Sequence, residues 1–259
     1  MKSTKMKNTW AITRRSFLVA GVGSAVSAML RTPGRGAIAA VPNIRIAAGP
    51  GHVALAGGAY PETAVWSYSG QVPGPEIRVR QGERLKFIVE NRLDEETTVH
   101  SHGLRMPNAM DGVPYVTQKP IVPGETFTYE FDVPDAGTYW YHPHTNSAEQ
   151  IGRGLYGSMI VEEREPIEVD RDITWVLDDW RLTSNAAISD DFGNRMDAGM
   201  GGRLGNTVTI NGHVPDTFKV RAGERIRLRL INTANARIFG LKFEGHRPRI
   251  IAYDGQPVE

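Results

Sequence analysis

The clearest pattern in the chain is a period of two. Over residues 84–89, Leu85, Phe87 and Val89 alternate with Arg84, Lys86 and Ile88. In an extended backbone this puts one set on a buried face, as in a half-buried strand. The stretch is part of a longer unit that occurs twice. The run from Val79 to Asn91 (VRQGERLKFIVEN) returns 141 residues on, from Val220 to Asn232, as VRAGERIRLRLIN. Each copy reads as a strand, a turn at Gly-Glu and a second strand. Just upstream, Gly70-Gln71-Val72-Pro73 is echoed by Gly212-His213-Val214-Pro215. The repeat predicts an all-β chain of two tandem, homologous β-sandwich domains, residues 41–163 and 164–259, with the boundary at a turn around residues 163–166.

The same repeat measures the second domain. In the first copy a last strand is expected over residues 157–161, and by the repeat offset its counterpart falls beyond Glu259. The second sandwich is therefore expected to be incomplete and the chain to be the N-terminal part of a longer protein. A degenerate second domain that pairs with another chain is the alternative. Missing strands leave exposed edges and apolar faces.

Histidine falls into the same frame. His100-Ser101-His102 and His142-Pro143-His144 hold four of the seven histidines. Residues two apart on a strand point the same way, so each pair aims two imidazoles at one point. Two such strands side by side make a four-imidazole cluster, a donor set suited to copper, zinc, iron or nickel. His100 and His102 lie nine and eleven residues after Asn91, whereas the equivalents after Asn232 are Leu241 and Phe243. Metal binding is thus expected in the first domain, with the second as spacer or packing partner.

Composition changes the picture at the N-terminus. Thr13-Arg14-Arg15-Ser16-Phe17-Leu18 opens an apolar stretch, and Ala37-Ile38-Ala39-Ala40 supplies small residues, the features of a twin-arginine export signal over residues 1–40. An uncleaved anchor is the alternative, although the stretch is short for a span of about 20 residues. The segment carries seven Lys/Arg and no Asp/Glu, so the formal +1 of the whole chain becomes −6 for the rest. That mildly acidic balance argues against a nucleic-acid partner. The expected location is the periplasm or the cell exterior. The chain has no cysteine, so its stability has to come from its core. It also cannot build a blue-copper centre, which needs a thiolate beside two imidazoles.

The flanks of the histidine pairs carry a family resemblance. The first pair continues into Gly103-Leu104, then Met110-Asp111-Gly112-Val113-Pro114 and residues 118–124 (QKPIVPG). The second is preceded by Gly137-Thr138-Tyr139-Trp140-Tyr141 and followed by Gly154-Leu155-Tyr156-Gly157. From roughly residue 43 onward the chain resembles the multicopper oxidases, the laccase-like family of stacked cupredoxin domains. The resemblance implies cupredoxin-like Greek-key sandwiches and copper as cofactor. It implies oxidation of a reducing substrate, a phenol or a metal ion, coupled to four-electron reduction of O₂ to water at a trinuclear cluster. It assigns His100 to the type 2 copper and His102, His142 and His144 to the type 3 pair. The remaining cluster ligands and the type 1 site would come from a further C-terminal cupredoxin domain, without which this chain is expected to be inactive. Asp111 matches an acid that helps deliver protons to reduced oxygen, although Asp-Gly is also a plain turn former. A non-catalytic periplasmic copper-binding or copper-resistance module and a structural cupredoxin scaffold remain as alternatives. A two-domain laccase or a copper nitrite reductase would need a cysteine ligand.

Other residues carry less. Ser101 stands where the family commonly has Trp, and Lys119 where many relatives have Cys; neither is a ligand position. Trp140 and Tyr141 read as packing residues. His52, His213 and His246 have no partner at ligand spacing, and the last two sit in turns facing solvent. Met196 and Met200 could suggest a soft Cu(I) site, but read more simply as incidental methionines of a flexible loop.

Overall fold

The computed structural model describes residues 43–258; the twin-arginine segment lies outside them. Two four-stranded sheets face each other. One is built from β1 (Asn43–Val53), β2 (Thr63–Tyr68), β4 (Arg84–Asn91) and β6 (Thr126–Asp132), in the order β2-β1-β4-β6. The other is built from β3 (Gly74–Arg80), β5 (His100–His102), β7 (Gly137–His142) and β8 (Gly157–Glu162), in the order β3-β8-β7-β5. The alternation read from the sequence fills the space between them. Leu85, Phe87 and Val89 of β4 and Tyr129 and Phe131 of β6 meet Ile77, Val79, Tyr139, Tyr141, Met159 and Val161 from the opposite sheet. Each such side chain, fully buried, contributes roughly 1.5–3 kcal/mol. Tyr141 is wholly buried and its hydroxyl donates to the Pro75 carbonyl at 2.7 Å. Its ring occupies the space that a Cβ at Gly157 would fill, so glycine at that point of β8 is a packing requirement.

A third sheet follows, in the order β10-β9-β11, from β9 (Arg171–Trp180), β10 (Thr207–Ile210) and β11 (Ile226–Asn232). It reproduces half of the first sandwich in detail. β1 runs parallel to β4 with Ala48 opposite Asn91, and β9 runs parallel to β11 with Leu177 opposite Asn232. Glu83 accepts the Arg80 N–H at 2.9 Å, and Glu224 accepts the Arg221 N–H at 3.0 Å. Asn91 accepts the Leu93 N–H at 2.9 Å, and Asn232 accepts the Ala234 N–H at 3.0 Å. Both asparagines thus end their strand in the same side-chain turn. The copies differ in one respect. The strand expected before the second Gly-Glu turn does not form, and residues 214–225 carry no strand. In the first copy that strand, β3, is held by parallel pairing with β8; among the described residues nothing offers the second copy the same partner.

A second core joins the sheets. Val65, Val72 and Tyr156 from the first sandwich pack with Val176, Trp180, Leu182 and Ile231. Charge pairs reinforce this contact. Arg229 of β11 forks Asp172 at 2.7 and 2.8 Å and donates to Thr138 Oγ1 of β7 at 2.8 Å. Burial alone would raise the Asp172 carboxyl, but the bonds from Arg229 outweigh it and hold the group below the usual carboxylate range. The methionine segment corrects the flexible-loop reading. It folds into a short helix, α1 (Arg195–Gly199), whose Asp197 forks Arg181 at 2.8 Å to each nitrogen and whose first turn is capped by Asn194. A short two-stranded hairpin, β12 (Ala252–Tyr253) with β13 (Gln256–Pro257), completes the described residues. No helix among them is long and apolar enough to cross a membrane.

Candidate metal centre

β5 and β7 are antiparallel neighbours, with His100 opposite His142, Ser101 opposite Tyr141 and His102 opposite Trp140. The pleat then sorts the side chains. Ser101 and Tyr141 are buried on the core side, and His100, His102, Trp140 and His142 share the outer face. His144 follows two residues on. The four imidazoles converge. The His100 ring lies 5.3 Å from that of His102, 5.4 Å from His142 and 4.7 Å from His144, between centroids. The His142 and His144 rings are 5.6 Å apart. One nitrogen each from His100, His102 and His142 falls within a 4.8 Å sphere of mutual separation, close enough to share an ion, since metal–imidazole bonds are about 2 Å long.

Backbone carbonyls orient two of the rings. His100 Nδ1 lies 2.7 Å from the Asp111 carbonyl oxygen, and His142 Nδ1 lies 2.9 Å from that of Pro143. A carbonyl can only accept, so both Nδ1 atoms carry the proton and both Nε2 atoms present a lone pair, the form that binds metal. His142 Nε2 faces His102 Nδ1 at 3.1 Å. The charged forms are disfavoured. Burial, with His100 nearby, pushes His102 and His144 below the ordinary histidine value. His142, only 6 % exposed, is pushed down to about 3, chiefly by burial and further by its three histidine neighbours. Neutral imidazoles converging on one face fit a transition metal of the kind nitrogen donors suit.

Asp111 lies against the same cluster. Besides its carbonyl bond, its Oδ1 is 3.3 Å from His100 Nδ1, and its carboxyl is about a third exposed. It follows a 3-10 turn (Asn108–Met110), and Gly112 presses its backbone against the Val99 carbonyl with φ at +80°, a conformation that favours glycine. The approach to His100 is fixed from below as well, because the Val99 N–H donates to the Tyr129 hydroxyl at 2.9 Å. His213 and His246 are exposed, as the turn reading implied, and His52 is exposed on β1. Leu241 and Phe243 lie in no strand. Sequence reasoning placed Trp140 as packing beside the second pair, which its stacking bears out, and missed one neighbour, Asp254. Trp140 stacks on His142 with ring centroids 4.0 Å apart. Asp254, in the turn of the β12–β13 hairpin, lies near enough for its charge to favour protonated His102. The Asp254-Gly255 pair is a hairpin-turn signal that could have flagged that turn, though not its position.

Facing mixed sheets with shared pleat geometry, followed by a partial second copy, define the cupredoxin-like class. Known proteins narrow it. Multicopper oxidase family models match residues 50–166 and 171–259. The multicopper oxidase MmcO of Mycobacterium tuberculosis is 34% identical over 237 residues, covering 81% of this chain and 46% of that protein. Copper resistance protein A of Pseudomonas syringae pv. tomato is 32% identical, covering 74% and 39% respectively. The crystal structure of a multicopper oxidase from Pseudomonas thermotolerans superposes with a TM-score of 0.79 at 42% identity, covering 83% of this chain and 52% of that one. Lac15, from a marine microbial metagenome, gives 0.73 at 42% identity, covering 83% and 54%. The chain belongs to the multicopper oxidase family, and it spans half or less of the length of the curated relatives named here.

Proposed function

We propose that His100, His102, His142 and His144 hold copper, and that the protein serves the oxidation of a reducing substrate, a phenol or a metal ion, with O₂ as electron acceptor. The observation that carries this reading is the convergence of four imidazoles at one end of β5 and β7, two of them with Nδ1 held by a carbonyl so that Nε2 presents a lone pair to the cluster. Copper bound there supplies one-electron redox chemistry, which four successive substrate oxidations would couple to reduction of O₂ to two waters. We assign His100 to the type 2 position and His102, His142 and His144 to the type 3 pair. Burial keeps the His142 ring neutral and so available as a ligand. Asp111, reaching from partly exposed surface to His100, is placed to carry protons between solvent and the cluster.

The remaining ligands and a type 1 copper belong, on this reading, to a further cupredoxin domain, because the chain has no cysteine and a type 1 site needs a thiolate. The 259-residue chain by itself should therefore show neither turnover nor intense blue colour. We further propose tandem cupredoxin domains meeting near residues 163–166, and export to the periplasm or beyond by the twin-arginine route; replacing Arg14 and Arg15 with Lys should trap the precursor in the cytoplasm. The test of the site is Cu(II) titration of the 259-residue chain with copper quantified by elemental analysis. Copper should be retained by the parent chain and lost on His142→Ala. Equal retention in both would overturn the assignment.

A further inference from the structure

The outer face of β7 presents Thr138, Trp140 and His142 in turn, each two residues from the last. Each meets something different. Thr138 receives Arg229 of β11. Trp140 packs against the second core, the one that includes Val176, Trp180 and Ile231. His142 lies in the metal centre. The indole also reaches that centre: it stacks on His142 with centroids 4.0 Å apart and planes 28° from parallel, and leans on His102 at 5.3 Å and 31°.

The two imidazoles need it unequally. The terminal torsion of histidine is broad, so a ring's orientation has to be set by its surroundings. His142 has the Pro143 carbonyl as a second constraint. Among the described residues His102 has no bond to backbone: its Nδ1 faces His142, and its ring neighbours are His100, His142 and Trp140. Among those rings only Trp140 is anchored in a hydrophobic core and is no candidate ligand.

We propose that Trp140 is a positioning residue of the metal centre, held by the second core and setting the ring planes of His102 and His142. This rests on the copper reading above. It gives the second core, to which both repeats contribute, a part in the site: that core fixes the indole, and the indole fixes the imidazoles.

The test compares Trp140→Phe, which keeps an aromatic face, with Trp140→Leu, which keeps apolar bulk without one, each in the 259-residue chain. The probes are Cu(II) affinity by chelator competition, thermal melting, and, in the metal-free protein, NOEs from the His102 and His142 ring protons to the neighbouring His100 and His144 rings, which report ring orientation. Loss of an orienting neighbour typically weakens metal binding roughly 10–100-fold. Trp140→Leu should fall in that range, and Trp140→Phe should recover most of the affinity. In metal-free Trp140→Leu the inter-ring NOEs of the parent chain should weaken or be lost, and in Trp140→Phe they should persist. Parent-like affinity in Trp140→Leu would overturn the proposal. So would a parent-like NOE pattern in that variant, whatever happens to its melting temperature. A parent chain that binds no Cu(II) would instead overturn the copper reading, and the metal-free NOEs would still decide whether the indole sets the rings.

Discussion

Gly112 offers a controlled perturbation of the site, because Gly124 provides its match. Both have φ near +80°, at +80° and +83° respectively. Placing an L side chain there costs about 1–2 kcal/mol in either case. Around Gly124 an added Cβ meets nothing within 4 Å. At Gly112 it collides with the Val99 carbonyl and comes to 2.9 Å from the His100 amide nitrogen. Backbone atoms cannot swing aside as a flexible side chain does, so overpacking should add about 1–3 kcal/mol. For a chain of this size each kcal/mol lowers the melting temperature by about 2–4 °C. Gly112→Ala should therefore melt several degrees below Gly124→Ala.

The site gives a second readout. The residue before Gly112 holds His100 Nδ1 through its carbonyl at 2.7 Å, so the displaced backbone should loosen that bond. Gly112→Ala should lose roughly 10–100-fold in Cu(II) affinity, whereas Gly124→Ala should bind like the parent. Thermal melts and chelator-competition titrations of the two variants check both points. Equal melting temperatures and equal affinities would refute the reasoning, because the pair differ in the collision and share the backbone strain.

Further outcomes follow from the same geometry. His142→Ala should lose copper while His246→Ala, exposed and far from any ligand spacing, keeps it, as elemental analysis would show; equal loss would mean that the metal lies elsewhere. Asp111→Asn in a complete oxidase should keep its copper yet slow turnover, and unchanged turnover across pH would remove Asp111 from proton delivery. The metal-free protein should carry two opposed pH dependences. His142, at about 3 against an ordinary 6.5, binds fewer protons folded than unfolded, so its contribution is complete above about 6.5 and is lost as pH falls toward 3. Asp178 is wholly buried and raised to about 7, mainly by burial, so its contribution is complete below the ordinary 3.8 and is lost as pH rises toward 7. Asp178→Asn removes the second slope. Melts of variant and parent at pH 4.5 and 7 should show the difference moving in the variant's favour at the higher pH, and movement the other way would contradict the assignment.

What could be read from the sequence is what short-range periodicity encodes. The alternation at Leu85, Phe87 and Val89 specified a strand and its buried face. The His100–His102 spacing specified two side chains on one face, because a strand's pleat admits no other arrangement; in the second pair only His142 lies in the strand, and His144 joins the cluster from just beyond its end. The repeat specified that the two copies share a strand and a Gly-Glu turn; the side-chain turns that end them at Asn91 and Asn232 match as well, but only the structure shows them. The rest depends on pairing between distant segments. The second copy repeats the Val-Arg that ends β3 without forming that strand, because β3 exists by virtue of its parallel neighbour β8, 83 residues further along at the Gly74–Gly157 pair. The helix that carries Met196, held through the Asp197–Arg181 fork, is too short to show a periodicity. Trp140 carried a hydrophobic signal only, and its stacking on His142 follows from the outer face of β7 being covered.

The two repeats thus divide one structural task. Both keep what makes the sheet: the glutamate that closes the Gly-Glu turn, the parallel neighbour in matching register, and the asparagine that ends the strand. Past that asparagine they separate. In the first copy the chain returns through Thr97 and Val99, each hydrogen-bonded, to deliver His100 and His102 into β5 beside β7. In the second the corresponding Leu241 and Phe243 enter no strand. A β5 equivalent would need a β7 equivalent to pair with, and among the described residues there is none. The second copy instead applies its side chains to the outside of the first copy's β7, Arg229 at Thr138 and its share of the second core at Trp140. That face would otherwise be open to water beside His142, the buried member of the cluster. Covering it supports the burial that drives His142 down to about 3, and with it the deprotonated nitrogens on which metal binding depends.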